Sequence, residues 1–174
     1  MHSPLADGRN IRLDILAYDQ NGKWYNIEVQ NENTGAHRKR ARFYSSMLDT
    51  HMLKKSQKFK ELADSYVIFI TRKDYLGEGF PLYHIHRRCD ENGKRFDDGS
   101  HIIYVNGAYR GEDPLGDLMH DFSCSDPELC KFDSLKRGIR HFKQEGGQSE
   151  MSDLIEEYAK QHKREGRKEG RKEG

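Results

Sequence analysis

Long apolar runs are missing from this sequence of 174 residues. No stretch approaches the roughly 20 residues that a membrane-spanning helix needs. Met1 to Asn10 is polar and has no apolar centre of the kind a secretion signal carries. Cysteine is scarce. Cys89, Cys124 and Cys130 are three in number, so they cannot all pair with one another, and the first stands far from the other two. That argues against a disulfide framework and for thiols in a reducing compartment, so a soluble, cytoplasmic protein is expected. There is no Cys-x-x-Cys pair, and a zinc site built on His120, Cys124 and Cys130 lacks a fourth ligand. Neither a Gly-x-Ser-x-Gly elbow nor a Walker-type loop occurs, which sets aside serine hydrolase and P-loop chemistry. Apolar residues are few as well, 34% hydrophobic against 34% charged. The core is therefore small for a single domain of this length, and part of the chain is expected outside it as a solvated tail or a surface-binding element.

What is present is charge, unevenly placed. The formal net charge is only +1, yet Arg38 to Lys60 holds eight Lys and Arg against the single acid Asp49. Periodicity then divides the chain. Ile11, Leu13, Ile15 and Ala17 alternate as a strand does, Asp19-Gln20-Asn21-Gly22 forms a turn, and Trp24 to Gln30 is a second strand. Ala41, Tyr44, Met47 and Leu48 mark an amphipathic helix from about His37 to Leu53 with a basic first turn. Tyr66-Val67-Ile68-Phe69-Ile70, within Ser65 to Thr71, has the near-continuous apolar pattern of a central strand covered on both faces. Further strands are expected at Leu82 to Arg87 and His101 to Val105, with polar turns at Asp90 to Gly93 and Asp97 to Gly99. Helices are expected at Pro114 to Phe122, Leu129 to Phe142 and Met151 to His162. The Glu-Gly-Arg-Lys repeats from Arg164 to Gly174 place a glycine in every turn, at about 1 kcal/mol each relative to alanine, so a frayed or disordered tail is expected.

The chemistry concentrates on the first hairpin. Glu28 and Gln30 share one strand face because side chains alternate. Asp14 joins them only in one of two registers. A two-residue Asn21-Gly22 loop would set Asp14 opposite Val29, facing away. A type I turn over Asp19 to Gly22, with Gly22 left-handed in a bulge, pairs Asp19 with Lys23 and sets Asp14 opposite Glu28. Aspartate at the first turn position and glycine at the fourth favour the bulged turn. Two carboxylates would then stand about 4.5–5.5 Å apart, a repulsion that needs a raised pKa, a cation such as Arg12, or a bound divalent metal to relieve it. Two carboxylates and a backbone carbonyl suit Mg²⁺, which takes oxygen ligands. Taken without any relative, the same acids also read as a polar surface pair.

The ordered series Arg12-Leu13-Asp14, then Tyr25-Asn26-Ile27-Glu28-Val29-Gln30, then Arg40-Ala41-Arg42-Phe43-Tyr44, then Tyr66 to Thr71 resembles the recombination-promoting nuclease and putative transposase family of the PD-(D/E)XK superfamily. The likeness spans about Asn10 to Tyr104, and the terminal repeats resemble that family's charged tails. It implies a restriction-endonuclease-like α/β fold, a mixed sheet flanked by helices. It also implies a metal site at Asp14, Glu28 and the Val29 carbonyl, with Gln30 in the position of the motif lysine. The implied catalytic set is Asp14, Glu28 and Gln30, the cofactor Mg²⁺ and the substrate DNA. The implied reaction is phosphodiester hydrolysis linked to recombination or transposition. Gln30 departs from the motif: it can orient water but brings no charge, so the metal must supply more of the electrostatic stabilisation. Relatives also carry a helical segment ahead of the first strand, whereas ten residues precede Ile11, so a chain shortened at its N-terminus is expected.

Arg38, Lys39, Arg40 and Arg42, together with Lys54, Lys55, Lys58 and Lys60, are candidate phosphate contacts, which position DNA without reading its sequence. Tyr44 is a candidate substrate contact, although its helical spacing speaks first for the core. His84 and His86, at i and i+2, share a strand face; a metal role is conceivable, but they read first as a solvated face. The expected organisation is a nuclease core over 1–112, a helical region over 113–162 and the charged tail over 163–174. DNA is the expected partner, and a second copy of the chain is a further one. A non-catalytic descendant of the fold that binds DNA or protein is the alternative, favoured by Gln30 and the missing N-terminal helix. A poorly folding fragment is a third reading, which thermal melting would expose.

Overall fold

A computed structural model describes residues 15–30, 33–53, 56–124 and 126–144. The expected helix at Met151 to His162, the charged tail and residues 11–14 of the first strand lie outside them.

The hairpin is built by its turn. β1 (Ile15–Tyr18) and β2 (Trp24–Gln30) pair antiparallel with Ile15 opposite Ile27 and Tyr18 opposite Trp24. Asp19 N–H donates to the Lys23 carbonyl (3.0 Å) and Gly22 N–H to the Asp19 carbonyl (3.0 Å), with Gly22 at φ +78°. Asp19 Oδ1 accepts from the backbone of Asn21 (2.9 Å) and Lys23 (3.0 Å), and Tyr25 Oη donates to Asp19 Oδ2 (3.0 Å). This is the bulged turn expected from the sequence. Desolvation pulls the Asp19 carboxyl upward, but these hydrogen bonds outweigh it and hold the group below the usual carboxylate range.

β2 then pairs parallel with β3 (Ser65–Thr71), β3 parallel with β5 (Ser100–Asn106), and β4 (Leu82–Ile85) antiparallel with β5. The result is one mixed sheet in the order β1-β2-β3-β5-β4, with the apolar strand β3 at its centre as its composition requires. The expected strand at Leu82 to Arg87 stops two residues early. Beyond Ile85 only an isolated bridge between Arg88 and Arg95 continues the pairing, closing the 90–93 turn.

Two helices cover the sheet. α1 (Arg38–Met52), in the β2–β3 connection, buries Ala41, Tyr44, Ser45 and Leu48, a stripe of i, i+3, i+4 and i+7. Met47, expected in that stripe, is only partly buried. The helix is capped by His37, whose Nδ1 accepts from Lys39 N–H (3.1 Å). Val67, Phe69 and Tyr104 complete the core under α1. α2 (Pro114–Phe122) covers the opposite face, where Met119, Leu115, Leu118 and Phe122 meet Val29, Ile70 and Val105. Asp113 caps α2 by accepting from Gly116 N–H (2.8 Å), with Pro114 at the first helical position.

The expected helix at Leu129 to Phe142 is replaced by a 3₁₀ turn (Pro127–Leu129) followed by α3 (Asp133–Gln144). The cause is Asp121, whose buried carboxylate accepts from the backbone N–H groups of Lys131 (2.9 Å) and Phe132 (2.8 Å) and so diverts them from a helical ladder. The three cysteines are free thiols. No helix among the described residues is long and apolar enough to cross a membrane.

Candidate active site

Alternation along β2 sends Asn26, Glu28 and Gln30 to the face that α1 covers, and Ile27 and Val29 to the other. Asn26 and Glu28 are both fully buried, an expensive place for a carboxylate. Two partners offset that cost. Asn26 Nδ2 donates to Glu28 Oε1 (3.1 Å), and Arg40 Nη2 donates to Glu28 Oε2 (3.2 Å) as an ion pair.

Each nitrogen of the Arg40 guanidinium makes a hydrogen bond. Nε donates to Tyr44 Oη (2.7 Å), Nη1 to the Gly35 carbonyl (3.0 Å), and the cation stands 5.0 Å from the centroid of the Tyr44 ring. Arg40, a candidate phosphate contact from the sequence, donates to Glu28, Gly35 and Tyr44 while 38% of its side chain remains exposed. Tyr44, offered as a substrate contact, is 3% exposed and stacks on Phe69 at 6.1 Å between ring centroids, so its ring serves the core and its hydroxyl holds Arg40. Arg38, Lys39 and Arg42 are exposed on α1. Asp14, Lys54 and Lys55 lie outside the described residues.

Gln30, at the end of β2, is half-buried, and its amide lies against the backbone of Gly35. A Cβ at Gly35 would fall 1.7 Å from Gln30 Oε1. The 3₁₀ turn (Asn33–Ala36) that carries Gly35 is anchored from across the sheet, where Tyr104 Oη donates to the Ala36 carbonyl (3.0 Å). Burial, reinforced by Tyr75, pushes the Tyr104 phenol up to about 12, so it stays a donor throughout the physiological range. Sequence reasoning missed Asn26, Gly35 and Tyr104. Asn26 was legible in part, because Asn-x-Glu-x-Gln is a polar row within an apolar strand. Gly35 and Tyr104 act through a turn and a distant strand, and no local pattern announces them.

Within this otherwise apolar face one amide oxygen lies beside the carboxylate. Asn26 Oδ1 is buried and accepts no hydrogen bond, while its amide nitrogen is turned toward Glu28. Reversing the amide would set that oxygen against a carboxylate, so the orientation is fixed by charge. A buried carboxylate beside an unpaired amide oxygen is an oxygen-only donor set, which suits a hard divalent cation such as Mg²⁺ and suits zinc or copper poorly. On the opposite face, a cavity of about 300 Å³ opens at the ends of β2 and β3, lined by Val29, Gln30, Ile70, Arg72, Arg110 and Met119 among others. It brings two cations to the neighbourhood of Gln30.

Residues 1–107 match the family model of the PD-(D/E)XK nuclease family transposases. No curated protein and no solved structure matches the chain.

Proposed function

Because the chain belongs to the PD-(D/E)XK nuclease family transposases, we propose that it is a Mg²⁺-dependent endonuclease hydrolysing DNA phosphodiester bonds in recombination or transposition. The family makes it a nuclease of an α/β restriction-endonuclease-like fold, with which the mixed five-stranded sheet and its helices agree. Such nucleases use divalent metal ions. The identity of the ion, the DNA substrate and the residue roles are our reading.

The observation that carries it is the buried Glu28 carboxylate on the hairpin, in a register where Ile15 stands opposite Ile27. Asp14 itself lies outside the described residues; a hairpin that kept this register for one more residue would set it across from Glu28. Asp14, Glu28 and the Val29 carbonyl would hold the ion. Once bound, it supplies an acidified water and positive charge for the scissile phosphate. The chain's own residues do the rest. Gln30, pinned over Gly35, orients the attacking water by hydrogen bonding. Arg40 balances the buried Glu28 charge and keeps the carboxylate from rotating. Arg38, Lys39 and Arg42 meet neighbouring phosphates from α1, with Lys54 and Lys55 beyond its C-terminal end.

In a plasmid-nicking assay with Mg²⁺, Asp14→Ala is expected to abolish nicking and leave the melting temperature close to that of the parent. A variant that cuts as fast as the parent removes Asp14 from the site. One observation favours a second reading. Glu28 already has a cation in Arg40, so the fold tolerates the acid without a metal, as a DNA- or protein-binding descendant of a nuclease would. Such a module binds DNA equally well in Mg²⁺ and in chelator.

A further inference from the structure

Three histidines converge on the sheet face opposite to Glu28. In the antiparallel β4–β5 ladder His84 stands opposite Ile103, so alternation gives His84, His86 and His101 one common face. His84 Nε2 and His101 Nδ1 are 3.1 Å apart, the His84 and His86 rings are 3.8 Å apart between centroids, and one ligand nitrogen from each ring lies within 4.8 Å of the other two. Among the described residues this is the one group of His, Cys, Asp or Glu close enough to share an ion.

Two features distinguish it from a solvated strand face. His86 Nε2 is buried and makes no hydrogen bond, although its neighbours offer a second imidazole on either side. The His101 ring is held in orientation by stacking on Tyr66 at 4.4 Å, which stacks on Tyr25 at 5.0 Å, whose hydroxyl is tied to Asp19. That row runs across three strands, β2, β3 and β5, and fixes the orientation of one ring.

We propose that His84, His86 and His101 bind a single Zn²⁺ ion, with a fourth position open to water or substrate. The separation of the His84 and His101 nitrogens is close to the edge of a tetrahedron whose Zn–N bonds are about 2.0–2.1 Å. The donors are all imidazole, which suits zinc and copper and excludes Mg²⁺ and Ca²⁺, which want oxygen. Arg95 and Arg88 approach His86 and oppose any cation, with Asp97 partly offsetting them. Coordination by the three imidazoles would have to outweigh this opposing field. This site is separate from the Glu28 face and does not depend on the nuclease reading.

Zinc titration of the chelator-stripped full-length chain by calorimetry tests the proposal, with Co²⁺ absorption as a reporter of the ligands. One zinc per chain is expected, unaffected by excess Mg²⁺, with a cobalt spectrum of nitrogen and oxygen ligation. His101→Gln and His84→Gln should each weaken zinc by more than about 10-fold, the lower bound of what losing even a ligand-orienting group costs. Zinc should raise the melting temperature of the parent and of neither variant. His84 is exposed on the edge strand, so its variant retains the fold should His101→Gln lose it. Cys124→Ser and Cys130→Ser should bind as the parent does. Absence of saturable binding, zinc retained in both histidine variants, or a thiolate-to-cobalt band lost with the cysteines would each overturn the assignment.

Discussion

Gly35 controls Gln30 by having no side chain. The Gln30 amide occupies the space a Cβ would need, with 1.7 Å between that atom's position and Gln30 Oε1. Because the obstructing atom is the end of a flexible side chain, Gly35→Ala has an inexpensive escape: the amide swings aside and the turn survives. The expected outcome is a melting temperature shifted by only a few degrees and a cleavage rate reduced by about 10- to 100-fold, the usual cost of losing a group that orients a reactive partner. Comparable rates for Gly35→Ala and the parent would separate Gln30 from the chemistry. Single residues were unevenly legible at this scale. Glu28 and Gln30 stand out because polar side chains interrupt an apolar strand. The role of Arg40 does not, since a basic run shows where charge lies but not which member turns inward. Only the approach of α1 to β2 separates Arg40, paired with Glu28, from Arg38, Lys39 and Arg42, which remain exposed.

α1 carries its cations at the end where they cost most. Arg38, Lys39 and Arg40 sit in the first turn, which contains no acid, against the positive pole of the helix dipole. Each such placement disfavours an exposed helix by about 0.3–1 kcal/mol, so burial of Ala41, Tyr44 and Leu48 has to outweigh it. A helix built this way presents both its dipole and its exposed side chains to an anion. Replacing Arg38, Lys39 and Arg42 together by alanine is expected to weaken DNA binding uniformly across sequences. It should lower the slope of log affinity against log salt by about 2 to 3, roughly one unit per lost phosphate contact. An unchanged slope would place DNA elsewhere.

The connection between α2 and α3 depends instead on one acid. Desolvation raises the Asp121 pKa, but hydrogen bonds from Lys131, Phe132 and His120 outweigh it and leave the group below its usual range. A depressed folded-state pKa contributes stability above the unfolded carboxylate value, about 3.9, and loses it as pH falls through the folded value. Melting temperature measured from neutral to acid pH should therefore fall more steeply for the parent than for Asp121→Asn, which starts lower. Parallel curves would assign the acid sensitivity to other carboxylates. Elements bounded by periodicity and by turn or capping chemistry were readable, as β2, β3 and α2 were. The start of α3 was not, because a side chain from the preceding helix captures its backbone donors.

Across the whole molecule, the sheet separates two chemistries. One face, under α1, buries a carboxylate that accepts from an amide and a guanidinium. The other gathers three imidazoles at the β4–β5 edge and the α2 core beside them. Neither the strand order nor the β4–β5 register follows from local pattern, so only the ladder joins His101 to His84 and His86. The hairpin, by contrast, is local, and its turn alone determines which residues oppose one another.

We propose that the Glu28 face cleaves DNA with the help of a hard divalent ion. The rate at which the parent and Glu28→Gln relax supercoiled plasmid, followed as Mg²⁺ is titrated in from chelator, tests it most directly. No cleavage is expected in chelator, with a saturable rise in Mg²⁺ for the parent and a rate lower by more than about 100-fold for Glu28→Gln, beyond the cost of losing an outer-shell group. A parent that binds plasmid in chelator and never cuts it, or a Glu28→Gln variant that matches the parent at every Mg²⁺ concentration, would contradict it.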